Sequence, residues 1–179
     1  IVAVVFAGFA EREAMSQFPP SSDPEIRYVK IGGTGSFGLC WDDAYGTLEE
    51  ALADANNSSL GITTIRVAQG TYRPLAQSGF VILAAVTIEG GYRGFTDSEG
   101  DADDRDLCEF PTVLSGDLLG DDDGTLANMV DNAIHVLRVS SLSGVTPGVL
   151  DGLHVTAGCA LNAESASDRI GGGLRLDET

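Results

Sequence analysis

The chain has 179 residues, and its 10 lysines and arginines stand against 27 aspartates and glutamates, a formal net charge of −17 at pH 7. Nucleic acids and anionic membranes attract clustered lysine and arginine, so this charge argues against both as partners. The hydrophobic share of 43% is that of a globular protein, and 23 glycines indicate many turns between short strands.

The first ten residues form an uncharged apolar run that is too short to cross a bilayer, which needs about 20 residues. Gly8 and Ala10 are small residues at the −3 and −1 positions of a possible cleavage after Ala10. We therefore expect residues 1–10 to be the remnant of a secretory signal, with a buried strand as the alternative. Residues 11–27, rich in proline and serine, are expected to form a linker.

An amphipathic helix is predicted over residues 47–56. Its apolar residues recur with the spacing i, i+3, i+4, i+7, at Leu48, Ala51, Leu52 and Ala55. This spacing places them on one face of a helix. Thr47 and Glu50 have the three-residue separation of a capping box, in which each side chain accepts a hydrogen bond from a backbone N–H at the helix start.

Short β-type runs follow the helix. They comprise residues 64–68, 80–88, 112–115, 135–139, 152–156 and 173–176. Their spacing approaches the repeat length of a solenoid, in which each unit buries its apolar face by stacking on the next. No Asn-Gly or Asp-Gly pair links two alternating runs as a hairpin would require. Asp151 and Gly152 lie directly between apolar residues and therefore indicate a corner within one turn of the solenoid.

Several sequence segments occur in a characteristic order along the chain. CWDDAYGTLEEAL is followed by IRVAQGTYRP, VTIEGGYRGF, TVLSGDLLGDDDG, DNAIHVLRV, VLDGLHVTAG and GGGL. Over residues 28–173 this order resembles the secreted bacterial right-handed parallel β-helix repeat proteins of the pectate-lyase-like fold. The resemblance implies an all-β fold, a right-handed parallel β-helix with an N-terminal amphipathic cap helix. Residues 28–179 would then be the cap and first rungs of a β-helix domain truncated at its C-terminus.

Three cysteines, Cys40, Cys108 and Cys159, allow at most one intrachain disulfide in an exported protein, and their pairing stays open. The β-helix family does not require them. Within that fold, Cys40 near the cap and Cys108 just before a rung could form a local staple.

Two acidic stretches are candidates for a metal site. Residues 97–106 carry six carboxylates and one arginine, and residues 117–123 surround a glycine-containing turn. Calcium takes six to eight oxygen ligands with flexible geometry, which suits such loops. Like-charge runs usually face water, so the pattern favours solvated acidic loops; if a metal site is present, the expected ligands are Asp117, Asp121 and Asp123, with calcium as the ion.

Other motifs point away from catalysis. Residues 33–38 match G-x-G-x-x-G, yet the helix begins nine residues later, so no nucleotide is expected. His135 and His154 each begin a β-run outside any catalytic arrangement. Three arginines lie on or beside rungs, without a lyase's catalytic motif: Arg66, Arg93 and Arg138. Five aromatic residues could stack on sugars, but packing is the expected use: Trp41, Tyr45, Tyr72, Tyr92 and Phe95. No catalytic or cofactor-binding residue is assigned.

The sequence thus favours a non-catalytic, exported or cell-surface β-helix module that binds carbohydrate or protein, expected to be a monomer. The alternative is a polysaccharide lyase or glycoside hydrolase with a calcium-assisted groove on the same rungs. A chain of charge −17 repels a polyuronate unless a divalent cation bridges the two sets of carboxylates, so the enzyme alternative requires calcium.

Overall fold

The computed structural model describes residues 23–123, 128–140, 148–160 and 172–177. These residues contain one α-helix, α1 (Leu48–Ala55), preceded by a 3-10 turn at Trp41–Asp43. They also contain ten short strands: β1 (Ile26–Val29), β2 (Thr64–Ala68), β3 (Gly70–Tyr72), β4 (Phe80–Ile82), β5 (Thr87–Tyr92), β6 (Thr112–Ser115), β7 (Leu137–Ser140), β8 (Val149–Asp151), β9 (Leu153–Thr156) and β10 (Leu174–Asp177).

The strands form three sheets in which every strand pair is parallel. Sheet 1 has the order β1-β2-β5-β8, sheet 2 the order β3-β6-β9, and sheet 3 the order β4-β7-β10. From β2 onward the chain visits sheets 1, 2 and 3 in turn, three times over. Parallel neighbours cannot be joined by a tight hairpin. From β2 onward each strand meets its next partner only after the chain has passed through the other two sheets, and β1 is separated from β2 by the 3-10 turn and α1.

One hydrophobic cluster lies between the sheets and α1. It contains Val29, Ile65 and Ile88 from sheet 1, and it includes residues of sheets 2 and 3 as well. Parallel register aligns residues of successive strands in columns: Ile65–Ile88–Leu150 in sheet 1, Tyr72–Leu114–Val155 in sheet 2 and Phe80–Leu137–Leu174 in sheet 3. The first two residues of each column belong to the cluster, and the third lies outside it. Each column stacks side chains of successive strands directly on one another, which removes apolar surface from water.

Burial along these columns is graded. Ile65 and Ile88 are 0% exposed, whereas Leu150 in the last strand of sheet 1 is 38% exposed. The same rise occurs in the other two sheets, where Val155 and Leu174 are 39% and 41% exposed. The interior is therefore well covered near β1 and β2 and partly open at β8, β9 and β10.

Helix α1 covers the interior at the β1–β2 end. Its buried face consists of the predicted stripe, Leu48, Ala51, Leu52 and Ala55, and it packs against β1, β2 and β4. The capping box is present: the Glu50 N–H donates to Thr47 Oγ1, and the Thr47 N–H donates to Glu50 Oε2 at 3.0 Å. The predicted helix and its cap are confirmed.

The helix also neutralises a charge at the covered end. Arg27 on β1 is the register partner of Ile65 on β2 and so extends the interior column of sheet 1. Arg27 is only 7% exposed. Its Nε donates to Asp54 Oδ2 on α1 at 2.6 Å, and the Tyr45 hydroxyl donates to the same oxygen at 2.9 Å.

Strand predictions were partly right. β2 and β6 have the predicted bounds, and β7, β9 and β10 are offset by one or two residues. The single strand predicted over residues 80–88 was wrong: β4 and β5 belong to different sheets, and the chain turns between them. β3 and β8 were missed, and β1 begins at Ile26, inside the expected linker. Gly152 lies between β8 and β9 with φ +68°, so the corner predicted there is confirmed.

Candidate functional sites

A cleft of about 500 Å³ lies on the outer face of sheet 1, and we refer to it as the aromatic cleft. Its walls are β1, the 3-10 turn, the side chain of Arg66 on β2 and the loop of residues 95–103. Tyr28, Trp41, Phe95 and Asp103 contribute the side chains on which its chemistry depends. The cleft was not anticipated from the sequence, because it forms only when the loop folds back over two strands that precede it.

Strand alternation explains why polar groups face the cleft. Tyr28, Arg66, Glu89 and Asp151 are successive register partners in sheet 1, one residue along from the interior column. Side chains of a strand alternate between its two faces, so this polar row points outward. The loop after β5 is anchored to the row, since Arg105 pairs with Asp151 at 2.9 Å.

Aromatic packing holds the floor of the cleft. The Tyr28 and Trp41 rings lie edge to face, with centroids 4.9 Å apart, and Trp41 contacts Tyr92 at 5.7 Å. Trp41 Nε1 donates to Asp103 Oδ1 at 3.1 Å, and Arg66 binds the same oxygen at 3.2 Å. The loop is thereby fixed to the strands through one carboxylate, because both donors converge on it.

Burial raises the pKa values of the phenols beside the cleft. It raises the pKa of Tyr28, against the opposing effect of Arg66. Burial, with a hydrogen bond donated to Glu89, raises the pKa of Tyr92 to about 12. The charged side chains lining the cleft are four carboxylates and two cations: Asp23, Asp42, Asp101, Asp103, Lys30 and Arg66.

The five aromatic residues considered as sugar platforms separate into two groups. Four are buried and pack inside the fold, as expected: Trp41, Tyr45, Tyr72 and Tyr92. Phe95 differs, because it is 49% exposed in the aromatic cleft, whereas Trp41, which also lines the cleft, is only 7% exposed. The guanidinium of Arg93 lies 5.0 Å from the centre of its ring and holds the ring in place.

A second candidate is the acidic loop, by which we mean residues 117–123 and 128–132. Ligand atoms of Asp117, Asp121 and Asp131 all lie within 4.8 Å of one another. Asp117 is buried and accepts hydrogen bonds from the backbone N–H groups of Gly120 and Asp121, and Asp131 accepts one from Leu119 at 3.0 Å. Partial desolvation and the neighbouring carboxylates of Asp131 and Asp117 raise the pKa of Asp121.

The predicted ligand set was Asp117, Asp121 and Asp123, and the structure brings the first two together. Asp123 is outside the group, and Asp131 takes the third position. Asp131 was missed because it comes 14 residues after Asp117 and reaches the group only when the loop closes. The Ala133 N–H donates to the Gly116 carbonyl at 2.7 Å and marks that closure.

In the other acidic stretch, residues 97–106, carboxylates accept hydrogen bonds both from backbone N–H groups of the stretch and from side chains outside it. Asp97 accepts hydrogen bonds from the Glu99 N–H and from Arg93, and these lower its pKa. The pKa of Asp106 is lowered by hydrogen bonds from the backbone N–H groups of Glu109 and Cys108. Asp97 and Asp106 are therefore held by the protein's own hydrogen bonds.

The glycine-rich segment at residues 33–38 has a similar internal explanation. The Asp43 carboxylate accepts hydrogen bonds from the backbone N–H groups of Ser36 and Phe37. A Cβ atom at Gly35 would lie 1.7 Å from the Asp43 carbonyl oxygen, so glycine is required there by close packing. The backbone donors that would face a phosphate in a dinucleotide fold are therefore already used.

The remaining residues considered in the sequence are the two histidines and the three cysteines. His135 is buried, with its Nε2 3.3 Å from Arg175, and His154 is exposed on β9. The proposed staple is not formed, because Cys40 and Cys108 are free thiols, as is the buried Cys159. Cys108 is exposed, whereas Cys40 is partly buried near the 3-10 turn.

Comparison with protein-family models, curated proteins and solved structures finds no match to this chain. Within the residues that the structure describes, no helix has the length and apolar character needed to cross a membrane.

Proposed function

We propose that the three sheets are the faces of a right-handed parallel β-helix capped by α1, and that the chain is a non-catalytic binding module. Three features support this fold: the repeated passage through sheets 1, 2 and 3, the in-register interior columns, and the helix that covers one end. A stack of this kind is rigid and displays loops along its sides, which suits it to binding an extended ligand.

The ligand that we propose is a polysaccharide, bound in the aromatic cleft. The exposed ring of Phe95 offers an apolar surface to the C–H face of a sugar. Asp101, Asp103 and Arg66 provide fixed hydrogen-bonding groups for hydroxyls around it. Four carboxylates against two cations disfavour a polyuronate, so the expected ligand is a neutral polysaccharide.

The single observation that carries this proposal is the position of Phe95, half exposed in a cleft whose polar groups are held by the protein's own contacts. Asp103 is held by Trp41 and Arg66 before any ligand arrives. Such preorganisation lowers the entropic cost of binding.

Calorimetric titration with neutral gluco-, xylo- and manno-oligosaccharides, and with oligogalacturonate, tests the proposal. We expect one neutral series to bind and oligogalacturonate not to bind. Phe95→Ala should weaken binding about tenfold, because truncating a central aromatic contact costs more than about 1 kcal/mol. Phe37→Ala is the matched control, since Phe37 is also 49% exposed but does not line the cleft.

Absence of binding to every series, or equal losses in the two variants, would contradict the carbohydrate proposal. Release of shorter saccharides or unsaturated ends during the titration would instead support the polysaccharide lyase or glycoside hydrolase alternative. A surface protein is the other expected ligand.

We also propose that the protein is exported and monomeric. The apolar run and small residues of residues 1–10 support export, although they lie outside the described residues. Fractionation of the producing cells tests the location, and retention in the cytoplasm would contradict it. Sedimentation equilibrium tests the oligomeric state.

A further inference from the structure

The two carboxylate oxygens of Asp103 have different surroundings. Oδ1 accepts hydrogen bonds from Trp41 Nε1 at 3.1 Å and from Arg66 Nη1 at 3.2 Å, and these bonds fix the position of the side chain. Among the described residues, no donor makes a hydrogen bond to Oδ2. The side chain is 56% exposed and lines the aromatic cleft. One oxygen of this carboxylate is therefore used by the fold, and the other can accept a hydrogen bond from a ligand.

Arg66 supplies a hydrogen-bond donor next to this acceptor. Its guanidinium lies over the rings of Tyr28 and Tyr92, 5.8 and 5.4 Å from their centres, and these contacts restrict its orientation. Nη1 donates to Asp103 and to the Tyr28 hydroxyl, whereas Nη2 makes no hydrogen bond to a residue that the structure describes. Arg66 also lines the cleft, and its side chain is 28% exposed. The cleft thus contains a held donor–acceptor pair, Arg66 Nη2 and Asp103 Oδ2.

The charge around this pair decides which ligand suits it. Arg66 Nη1 lies 3.2 Å from Asp103 Oδ1, and Arg66 Nε lies 3.7 Å from Glu89 Oε2, so carboxylates of the protein already balance the guanidinium. An anionic ligand would meet these carboxylates, and a cationic ligand would compete with Arg66 for Asp103. A neutral ligand avoids both costs. Two adjacent hydroxyls have the matching chemistry, because a hydroxyl can donate one hydrogen bond and accept others.

We propose that Asp103 and Arg66 determine the specificity of the aromatic cleft by selecting a neutral sugar with two adjacent free hydroxyls. One hydroxyl donates to Asp103 Oδ2, and its neighbour accepts from Arg66 Nη2, while the sugar ring contacts Phe95. This inference rests on the carbohydrate function proposed above and adds the residues that recognise the hydroxyl pair. A site built to hydrogen-bond a hydroxyl discriminates strongly against a ligand that lacks it, because a charged group is then left unpaired.

Calorimetric titration of the full chain tests the carboxylate, with the gluco-, xylo- or manno-oligosaccharide that binds wild type most tightly as the probe. Asp103→Asn keeps an oxygen facing the two donors, Trp41 and Arg66, and places an NH₂ group where Oδ2 was. The variant should keep a melting temperature close to that of wild type, because an exposed ion pair contributes little to stability. It should bind the probe at least about tenfold more weakly, the loss expected for a hydrogen bond to a charged group.

Glu99→Gln is the matched control. It removes the same charge from the same acidic stretch, but the Glu99 side chain is 83% exposed and does not line the cleft. Its Kd for the probe should change by less than about twofold, since an exposed charge outside the cleft contributes little. Equal weakening in Asp103→Asn and Glu99→Gln would reduce the effect to the general charge of the protein and contradict the proposal.

Methylation of the two hydroxyls, one at a time, gives a readout that a purely structural role of Asp103 would not change. A methyl ether accepts a hydrogen bond but cannot donate one, so one of the two derivatives should bind wild type at least about tenfold more weakly than the parent probe. The same derivative should bind Asp103→Asn within about threefold of the parent probe, because the new NH₂ group donates to the ether oxygen.

The outcomes separate the hydroxyl pair from the carbohydrate function. Unchanged affinity in Asp103→Asn, with Phe95→Ala still weakened, would contradict the role of Asp103 and leave the carbohydrate function standing. Equal tolerance of both methyl ethers by wild type would contradict recognition of the pair. Absence of binding to every neutral series would overturn the hydroxyl pair and the carbohydrate function together.

Discussion

The interior columns predict a graded cost of truncation along sheet 1. Ile88 is 0% exposed and lies in register between Ile65 and Leu150, so Ile88→Ala opens a cavity bounded on both sides. Fully buried isoleucine or leucine changed to alanine costs 2–5 kcal/mol, roughly, and the fixed neighbours place Ile88→Ala at about 3–4 kcal/mol. Leu150 is 38% exposed, so Leu150→Ala should lower the free energy of unfolding by only about 1–2 kcal/mol.

Urea unfolding at 25 °C, followed by circular dichroism, measures both losses. The midpoint should fall for both variants at an unchanged slope, because the surface exposed on unfolding is nearly the same. In a thermal scan, Ile88→Ala should lower the melting temperature by about 6–16 °C, since 1 kcal/mol corresponds to about 2–4 °C in a domain of this size.

Equal losses, or a larger loss for Leu150→Ala, would contradict the graded burial along this column. Either result would mean that the side chains are not stacked in one interior that is covered at the α1 end and open at β8. The parallel β-helix proposed above would then lose its main energetic support.

Two further predictions concern the covered end and the phenols. Asp54→Ala should cost about 3 kcal/mol in urea unfolding, because it leaves Arg27 charged and 7% exposed without its 2.6 Å partner. Glu109→Ala, an exposed control, should cost less than about 0.5 kcal/mol, and equal costs would contradict the pairing argument. All four tyrosines have raised pKa values, to about 12 at Tyr92, mainly through burial. Absorbance at alkaline pH should therefore show tyrosine ionisation near pH 10 only after unfolding. Because the tyrosine pKa values are higher in the folded than in the unfolded state, their contribution to stability is fully present below about pH 10 and is lost as the pH rises through the folded-state pKa values. Tyrosine ionisation at pH 10 in the folded protein would contradict the burial.

Elements that depend on interactions between residues close in sequence were predicted correctly. The capping box of Thr47 and Glu50 and the apolar stripe of α1 involve residues within eight positions of one another, so the helix was predicted with its cap. β2 and β6 were predicted with their bounds for a similar reason: their β-branched and apolar runs are short and end at turn-forming residues. The corner at Gly152 was predicted from the Asp151-Gly152 dipeptide.

Other strands depend on pairing between segments that are far apart in sequence. Residues 80–88 are apolar except for Thr87, and only the pairing of β4 with β7 and of β5 with β2 and β8 shows that the chain turns between β4 and β5. β3 contains three residues, including a glycine, and owes its strand conformation to β6. No local signal distinguishes such a segment from a turn.

The two candidate sites follow the same division. Asp117 and Asp121 are close in sequence and were predicted together, whereas Asp131 joins them only after the loop closes. The aromatic cleft needs the parallel alignment of Tyr28 with Arg66 and a loop from beyond β5. Side-chain preference acts over a few residues, but a parallel sheet brings together strands separated by whole turns of chain, and that pairing depends on the entire fold.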